Sequence, residues 1–320
     1  MNDLTIIGAG AWGTALAVQA ARAGNAVRLW ARDPANAAQI AATRENPRLP
    51  GVTLPPEVVP IADTAQAAGL LLLAVPMQHL RAVLARLPGA AEPIVACVKG
   101  VETATLRLPL EVIAETHPQA PAAILTGPNF AHEIAAGLPA AAVVAATDAA
   151  LRDRVIAALA TPSFRLYGND DPIGAQIGGA AKNVIAIAAG VVIGAGLGEN
   201  ARAALITRGL AELSRLAVAL GGRAETVMGL SGLGDLLLTC TGPSSRNFSL
   251  GVALGRGETL ADVLAARSAV TEGVATAPAL IARAAGVDLP ICTAVAALLA
   301  GRVTVAEAMT NLLSRPRRNE

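Results

Sequence analysis

The sequence predicts an α/β protein whose N-terminal part is a doubly wound, mainly parallel sheet and whose C-terminal part is all-helical. Three observations predict it. A glycine-rich turn over residues 8–13 joins a short apolar strand to an alanine-rich helix. Strand-like runs then alternate with helix-length segments, which is typical of a parallel sheet covered by helices. After Gly168 no convincing strand pattern remains, and long amphipathic segments separated by glycine clusters follow.

The turn reads Gly8-Ala9-Gly10-Ala11-Trp12-Gly13, between a predicted strand over Leu4–Ile7 and a predicted helix over Thr14–Ala23. A dinucleotide fingerprint requires this context. One glycine makes the tight turn, the second lets the backbone approach a pyrophosphate, and the third lets helix and strand pack closely. The helix N-terminus presents unpaired N–H groups to the phosphates. The pattern predicts a Rossmann-type dinucleotide-binding domain over residues 1–168.

The other elements follow in chain order. Ala26–Trp30 is predicted as a strand, Leu70–Val75 as a buried strand ended by Pro76, and Met77–Leu87 as a helix. The remaining strands are predicted over Ile94–Lys99, Ala122–Leu125, Ala140–Ala145 and, last, Phe164–Tyr167. We place a boundary near residue 169, before a helical substrate-binding domain over residues 169–320. There the spacing Thr304-x-x-Glu307 predicts the start of a final helix.

Composition limits the function classes. The longest apolar run, Val184–Gly198, is shorter than a bilayer span and interrupted by glycines, so we expect no membrane span. A formal net charge of +1 argues against a nucleic-acid-binding surface. No signal or transit sequence precedes the first predicted strand, and Cys97, Cys240 and Cys292 lack metal-ligand spacing. We therefore expect a cytoplasmic protein without a metal site.

The end of the second strand bears on the choice of nicotinamide cofactor. A carboxylate there would accept a hydrogen bond from the free 2′-hydroxyl of NAD. Here the strand end is neutral, and Arg32 stands where it could pair with a 2′-phosphate. Asp33 is nearby but precedes Pro34, so an N-terminal cap is an equally good interpretation of it. The pattern favours NADP(H), with NAD(H) also used.

Hydride transfer also needs a group that gives or takes a proton. No carboxylate shows a motif-like pairing with His79, His117 or His132, so we interpret the histidines as structural. Lysine occurs only at Lys99 and Lys182. A lysine can release its proton near neutrality, whereas arginine cannot. Lys99 ends a predicted strand, at the edge where ligands bind in such sheets, and Lys182 follows Gly178-Gly179-Ala180-Ala181. Two chance surface lysines are the alternative interpretation.

Two later motifs carry polar groups in unusual places. Asp235 lies between a glycine and leucines, which a partner such as Lys182 would explain. Ser245-Arg246-Asn247 offers a hydroxyl, a guanidinium and an amide, a combination that suits a phosphate or a carboxylate. A loop that merely caps the next helix is the other interpretation of this motif.

Together these motifs resemble the bacterial-type NAD(P)-dependent glycerol-3-phosphate dehydrogenases, over essentially the full chain. The resemblance rests on Gly8–Gly13, Val98–Gly100, Gly127–Ala131, Lys182–Asn183, Gly232–Asp235, Ser245–Asn247 and Glu272–Val274 in this order and spacing. It implies reduction of dihydroxyacetone phosphate to sn-glycerol 3-phosphate, for glycerophospholipid synthesis. The apolar helical domain favours a homodimer.

The resemblance also implies roles. The catalytic group is Lys182 as proton donor and acceptor, with Asp235, Lys99 and Asn183. Substrate contacts are expected from Lys99, Gly127, Asn129, Lys182, Asp235, Ser245, Arg246 and Asn247. Cofactor contacts are expected from Gly8, Gly10, Ala11, Trp12, Gly13, Arg32, Lys99, Ala131, Arg246, Val270 and Glu272. Two positions depart from the commoner pattern: Ala11 replaces a small hydroxyl residue, and Asn129 replaces a serine or threonine.

Two other functions compete with this one. A β-hydroxyacid or 6-phosphogluconate-type dehydrogenase also places a lysine on a long helix, but its substrates carry a carboxylate. A non-catalytic dinucleotide sensor would keep the fold without turnover, although it would have no reason to keep both lysines and Asp235.

Overall fold

The computed structural model describes residues 3–89, 92–267 and 270–316. The chain forms two compact units. The first unit comprises residues 1–99 and 107–176, and the second comprises residues 100–106 and 177–320. The domain boundary expected near residue 169 stays a prediction, and the division by compactness falls at residue 176.

The first unit contains an eight-stranded sheet. The strands are β1 (Asp3–Ile7), β2 (Ala26–Trp30), β3 (Val58–Ile61), β4 (Leu70–Leu73), β5 (Ile94–Ala96), β6 (Ala122–Thr126), β7 (Ala140–Ala145) and β8 (Phe164–Asn169). Their order in the sheet is β3-β2-β1-β4-β5-β6-β7-β8. All neighbouring strands are parallel except β6 and β7. The predicted doubly wound, mainly parallel sheet is confirmed.

The central strands are nearly continuous apolar runs because both faces of the sheet are covered. Residues 4–7 of β1 and 70–73 of β4 are all buried. The strand order reverses between β1 and β4, since β2 and β3 continue from one side and β5 from the other. Ligands bind at such a switch point, outside the carboxyl ends of the strands. Gly8 lies directly after the carboxyl end of β1.

Helices cover the sheet: α1 (Ala11–Arg22), α2 (Pro34–Thr43), α3 (Leu80–Leu84), α4 (Pro109–Thr116), α5 (Ala131–Ala136) and α6 (Ala149–Leu159). Helix α1 begins at Ala11, three residues earlier than predicted, so that Gly13 lies within its first turn. The segment predicted as a helix over Met77–Leu87 is instead a short 3-10 turn, Met77–His79, followed by α3. The Asp33 carboxylate accepts a hydrogen bond from the Ala35 N–H at 2.9 Å, which makes it the cap of α2.

The second unit is helical, and no strand occurs among its described residues. Its helices are α7 (Pro172–Gly194), which begins in the first unit, α8 (Gly198–Ala219), α9 (Ala224–Val227), α10 (Asp235–Thr241), α11 (Arg246–Gly255), α12 (Leu260–Ala265), α13 (Glu272–Arg283), α14 (Pro290–Leu299) and α15 (Val305–Leu313). Thr304 and Glu307 form the predicted capping box of α15.

Helix α7 is the core of this unit. At 23 residues it has the length and apolar composition of a membrane-crossing helix, longer than the run read from the sequence, but 89% of its apolar window is buried inside the protein. It packs on α11 almost backbone to backbone. A Cβ at Gly190 would lie 2.1 Å from the Phe248 carbonyl oxygen, and one at Gly251 would lie 2.0 Å from that of Ile187. This contact fixes the relative positions of Lys182 and Asn247.

Candidate active site

The three glycines of the turn after β1 have different surroundings. Gly8 has φ +119°, and a Cβ there would lie 2.6 Å from the Ala74 carbonyl oxygen. A Cβ at Gly13 would lie 1.8 Å from the Gly8 carbonyl oxygen. A Cβ at Gly10 would meet no heavy atom within 4 Å. Gly8 and Gly13 therefore close the turn, while Gly10 borders open space at the N-terminus of α1, where a pyrophosphate could approach the N–H groups.

The neighbouring positions extend this cradle. Ala11 and Trp12 are half-buried in the first turn of α1, and Arg32 is exposed two residues beyond the end of β2. Sequence reasoning missed Asn46, which is fully buried. Its amide donates to the Ala9 carbonyl oxygen at 3.1 Å and to the Thr14 hydroxyl at 2.7 Å. Asn46 thus ties the segment after α2 to the glycine turn, and no motif in the sequence marks it.

A second group of predicted residues lies beyond the carboxyl ends of β5 and β6. The Lys99 ammonium donates to the Gly127 carbonyl oxygen at 3.1 Å. Gly127 has φ +140°, and a Cβ there would lie 3.0 Å from the Ala142 Cα. The Asn129 amide donates to the Ala141 carbonyl oxygen at 3.2 Å. Ala131, half-buried, begins α5. The structure therefore brings Lys99, Gly127 and Asn129 together.

Two buried oxygens in this group have no hydrogen-bond partner among the described residues: the hydroxyl of Thr126 and the amide oxygen of Asn129. Buried polar atoms without partners are rare in proteins, and an absent ligand is one reason for them. Sequence reasoning missed Thr126, because the strand was predicted to end at Leu125.

The second unit contains a buried ion pair. The Lys182 ammonium on α7 lies 2.6 Å from a carboxylate oxygen of Asp235 on α10. The same ammonium donates to the Thr239 hydroxyl at 2.8 Å, and that hydroxyl donates to the Asp235 carbonyl oxygen at 2.6 Å. The Asp235 side chain is 1% exposed and that of Lys182 10%. The pairing that the sequence suggested for Lys182 and Asp235 is present.

Thr239 is the residue that sequence reasoning missed here. Its signal was its spacing, because residues four apart lie on the same face of a helix. The loop before α10 is a short π-helical turn, Leu230–Gly234, which packs against α7 at Gly178 and against α9 at Gly232. A Cβ at Gly178 would lie 2.5 Å from the Ser231 carbonyl oxygen, and one at Gly232 would lie 2.0 Å from that of Val227. Any side chain at these positions would move Asp235 relative to Lys182.

Asn183, the next residue on α7, starts a second polar network. Its amide oxygen accepts a hydrogen bond at 2.9 Å from the Asn247 amide. The Asn247 amide oxygen in turn accepts one at 3.0 Å from the Gly273 N–H at the start of α13. Asn247 is only 8% exposed. Its side chain therefore links α7, α11 and α13.

The Ser245 and Arg246 side chains differ in exposure. Ser245 is buried, and its hydroxyl accepts a hydrogen bond from the Phe248 N–H at 3.2 Å, so it does cap α11. Arg246 is exposed, and its guanidinium donates to the Val270 carbonyl oxygen at 2.7 Å. Glu272 follows as the first residue of α13. Between Val270 and Glu272 the buried Thr271 hydroxyl has no hydrogen-bond partner among the described residues.

Comparison with known proteins places this arrangement in a family. Residues 3–152 match the N-terminal part of the NAD-dependent glycerol-3-phosphate dehydrogenases, and residues 171–310 match their C-terminal part. A relative from Gluconobacter oxydans is 54% identical over 318 residues, which cover 98% of this chain and 97% of the relative. One from Caulobacter vibrioides is 55% identical over 323 residues, covering 98% of each. Both are named glycerol-3-phosphate dehydrogenase [NAD(P)+].

The chain belongs to the NAD-dependent glycerol-3-phosphate dehydrogenase family. A solved member, the glycerol-3-phosphate dehydrogenase of Coxiella burnetii, superposes with a TM-score of 0.93 at 37% identity. The match covers 98% of this chain and 99% of that one. The family resemblance stated from the motifs is therefore confirmed, together with the fold.

The histidines and the cysteines Cys97 and Cys240 of this dehydrogenase-family chain are poorly suited to proton transfer or nucleophilic chemistry. His79 and His132 are exposed, and burial lowers the pKa of His117. Burial raises the pKa of the Cys240 thiol to about 12, although the Lys182 ammonium opposes the shift. Burial also raises the pKa of Cys97. These thiols stay protonated near neutral pH, so the Lys182 group is the candidate for acid–base chemistry.

Proposed function

We propose that this protein reduces dihydroxyacetone phosphate to sn-glycerol 3-phosphate with NAD(P)H, in a cytoplasmic compartment, and so supplies glycerophospholipid synthesis. The observation that carries the proposal is the buried contact of Lys182 with Asp235 and Thr239 in a member of this dehydrogenase family. The three free cysteines, all buried, fit a reducing compartment.

Lys182 is the proton donor in this proposal. When bound, the reduced nicotinamide supplies a hydride to the ketone carbon. The Lys182 ammonium transfers its proton to the ketone oxygen, so that this oxygen becomes the new hydroxyl of the product and no negative charge builds up on it. Asp235 and Thr239 hold the ammonium in one position. Asn183, the next residue on α7, holds this part of the helix against α11 through its hydrogen bond with Asn247. In the reverse direction the neutral lysine takes the hydroxyl proton.

The cofactor fits the cradle after β1. The gap at Gly10 and the tight packing at Gly8 and Gly13 suit a pyrophosphate at the N-terminus of α1, with Ala11 and Trp12 in its first turn. Arg32 would hold a 2′-phosphate. The family resemblance assigns further cofactor contacts to Lys99, Ala131, Arg246, Val270 and Glu272. The unpartnered Thr271 hydroxyl beside the last two supports a ligand in this place.

The phosphate end of the substrate is assigned to Ser245, Arg246 and Asn247, and the remainder to Lys99, Gly127 and Asn129. Asn247 has both ends of its amide engaged within the second unit. Arg246 is therefore the main phosphate ligand of its group, because its guanidinium is exposed and can form charge-assisted hydrogen bonds.

Initial rates with dihydroxyacetone phosphate and each reduced nicotinamide test the function. A panel that includes β-hydroxyacid and 6-phosphogluconate substrates separates it from the rival dehydrogenases, and absence of turnover with every phosphorylated ketone would favour a dinucleotide sensor. Arg32→Gln should raise the KM for NADPH and leave that for NADH unchanged, because only NADPH carries the 2′-phosphate. An equal change for both cofactors would remove Arg32 from the assignment.

Arg246→Ala tests the phosphate assignment. A hydrogen bond to a charged partner contributes about 1.5–3 kcal/mol, so the variant should lose on the order of 10- to 100-fold in kcat/KM for dihydroxyacetone phosphate. Unphosphorylated dihydroxyacetone should be affected little. Arg256→Gln, which changes an exposed arginine at the other end of α11, is a matched control. Equal losses on the two substrates would contradict the assignment.

A homodimer is part of the same proposal. The second unit has an apolar cavity of about 750 Å³ between α7, α8, α14 and α15. At its border Leu313 is 78% exposed and Met309 36% exposed. Light scattering should give twice the chain mass for the wild type, and Leu313→Glu should weaken the association. A monomeric wild type would contradict this part alone.

A further inference from the structure

Arg267, a half-buried arginine after α12, forms hydrogen bonds with the first turn of α11. One guanidinium nitrogen donates to the Arg246 carbonyl oxygen at 2.8 Å, and another donates to the Ser249 hydroxyl oxygen at 3.1 Å. The Ser249 hydroxyl itself donates to the Arg246 carbonyl oxygen at 3.1 Å. Three hydrogen bonds thus close a ring around the backbone of Arg246.

The connection runs in both directions. Arg267 donates to the carbonyl oxygen of Arg246, and the Arg246 guanidinium donates to the Val270 carbonyl oxygen at 2.7 Å. One residue later, Asn247 accepts the Gly273 N–H. Four hydrogen bonds therefore join the first turn of α11 to Arg267, Val270 and Gly273, and Arg246 takes part in two of them.

The two hydrogen bonds that Arg267 donates depend on the shape of its guanidinium. Its planar fork can donate to two acceptors at once, whereas a lysine ammonium is a point charge on a flexible stem. This shape suits the pair of acceptors that Arg267 meets here, the Arg246 carbonyl oxygen and the Ser249 hydroxyl oxygen.

We propose that Arg267 is a positioning residue for recognition of the substrate phosphate, acting through Arg246. It fixes the backbone from which the Arg246 guanidinium extends, so that this side chain is ordered before the phosphate arrives and less conformational entropy is lost on binding. This proposal rests on the function proposed above.

The test is a kinetic cycle of Arg267→Gln, Arg246→Ala and the double variant. Arg267→Gln should raise the KM for dihydroxyacetone phosphate on the order of 10-fold, with kcat changed less than about 3-fold. At saturating NADPH, the weak turnover of unphosphorylated dihydroxyacetone should stay as in the wild type, because that ketone has no phosphate for Arg246 to bind. In the Arg246→Ala background the same change should have little further effect, because the residue through which Arg267 acts is gone.

Arg267→Lys separates the fork from the charge. It keeps the charge but can hold only one acceptor firmly, so its KM should stay above that of the wild type. Full rescue by lysine would overturn the positioning role. Arg302→Gln is the control, because Arg302 is an exposed arginine outside the site residues and its replacement should leave every constant unchanged. Additive losses in the cycle, or equal losses on both ketones, would also overturn the proposal.

Hydrogen exchange gives a readout that does not depend on turnover. Arg267→Gln should speed exchange of the backbone N–H groups of residues 248–250, and unchanged exchange there would overturn the proposal even in an active enzyme. If the wild type does not reduce dihydroxyacetone phosphate but Arg267→Gln still speeds exchange of these N–H groups, the proposed function is wrong. The role of Arg267 in fixing the backbone of Arg246 is then supported.

Discussion

The Lys182–Asp235 pair can be perturbed with a known cost. The two charged atoms are 2.6 Å apart, and the side chains are 10% and 1% exposed. Water therefore screens the pair weakly, and neither charge can be solvated if the other is removed. Removing one partner of a buried ion pair costs about 3–5 kcal/mol, because it leaves an uncompensated buried charge.

We expect Lys182→Met and Asp235→Asn each to lower the free energy of unfolding by roughly this amount. The double variant should lose less than the sum, with a coupling energy of about 1–3 kcal/mol, because neither charge remains. Thr239→Val removes a hydrogen bond at 2.8 Å but no charge, so it should cost only about 1 kcal/mol. Urea unfolding of the four proteins and the wild type gives these numbers. A coupling energy below about 0.5 kcal/mol would refute a buried, interacting pair.

The same variants separate stability from catalysis. Lys182→Met should bind NADPH as the wild type does, because the glycine turn is unchanged, yet its single-turnover rate should fall by at least ~100-fold. Asp235→Asn should slow turnover through the position of the ammonium. The rate is measured below the melting temperature of each variant. A Lys182→Met enzyme that keeps its turnover would remove the lysine from the mechanism.

Two further predictions concern the glycine turn and a buried carboxylate. Gly13→Ala should unfold or strongly destabilise the protein, since its Cβ would lie 1.8 Å from the Gly8 carbonyl oxygen. Gly10→Ala should keep the melting temperature of the wild type but bind NADPH weakly, because a Cβ there meets no heavy atom of the protein. A normal melting temperature for Gly13→Ala would contradict this prediction. Burial raises the pKa of Glu212 above its usual value of 4.5, although hydrogen bonds from the Ile291 and Cys292 N–H groups oppose this shift. The folded state therefore holds the Glu212 proton more tightly than the unfolded state does. As pH rises from 4.5 through the raised pKa, the wild type should lose stability relative to Glu212→Gln. Urea unfolding of both proteins across that range checks the sign, and a difference that grows with pH in favour of the wild type would contradict it.

The sequence was informative where one local pattern determines the structure. The glycine turn, the buried runs of β1 and β4 and the two lysines each follow from a few adjacent residues. β3 was missed because Pro60 interrupts its pattern, and prolines are tolerated in a strand only at an edge such as the one it occupies. The antiparallel pairing of β7 with β6 depends on packing across the sheet and leaves no mark in either strand alone.

The candidate site was harder to predict where it depends on contacts between distant residues. Asn46 is buried by contact with a turn 32 residues or more before it, and no pattern around it indicates that. Thr239 was visible only as a hydroxyl one turn after Asp235. Arg267 lies 21 residues after the carbonyl that it holds. Such contacts form only once the helices have packed, so they follow from the fold and not from local spacing.

The glycines of the second unit explain how so apolar a chain positions charged groups. Only 2% of residues are aromatic, and hydrophobic residues, at 53%, are largely small. Helices of this composition pack with their backbones in contact, as α7 does on α11 at Gly190 and on the loop before α10 at Gly178. Close packing leaves little freedom for a rigid shift of one helix against another. The Lys182 ammonium and the Asp235 carboxylate are therefore held in place by the backbone contacts of their own helices, and a single methyl group at Gly178 would separate them as effectively as replacing either charge.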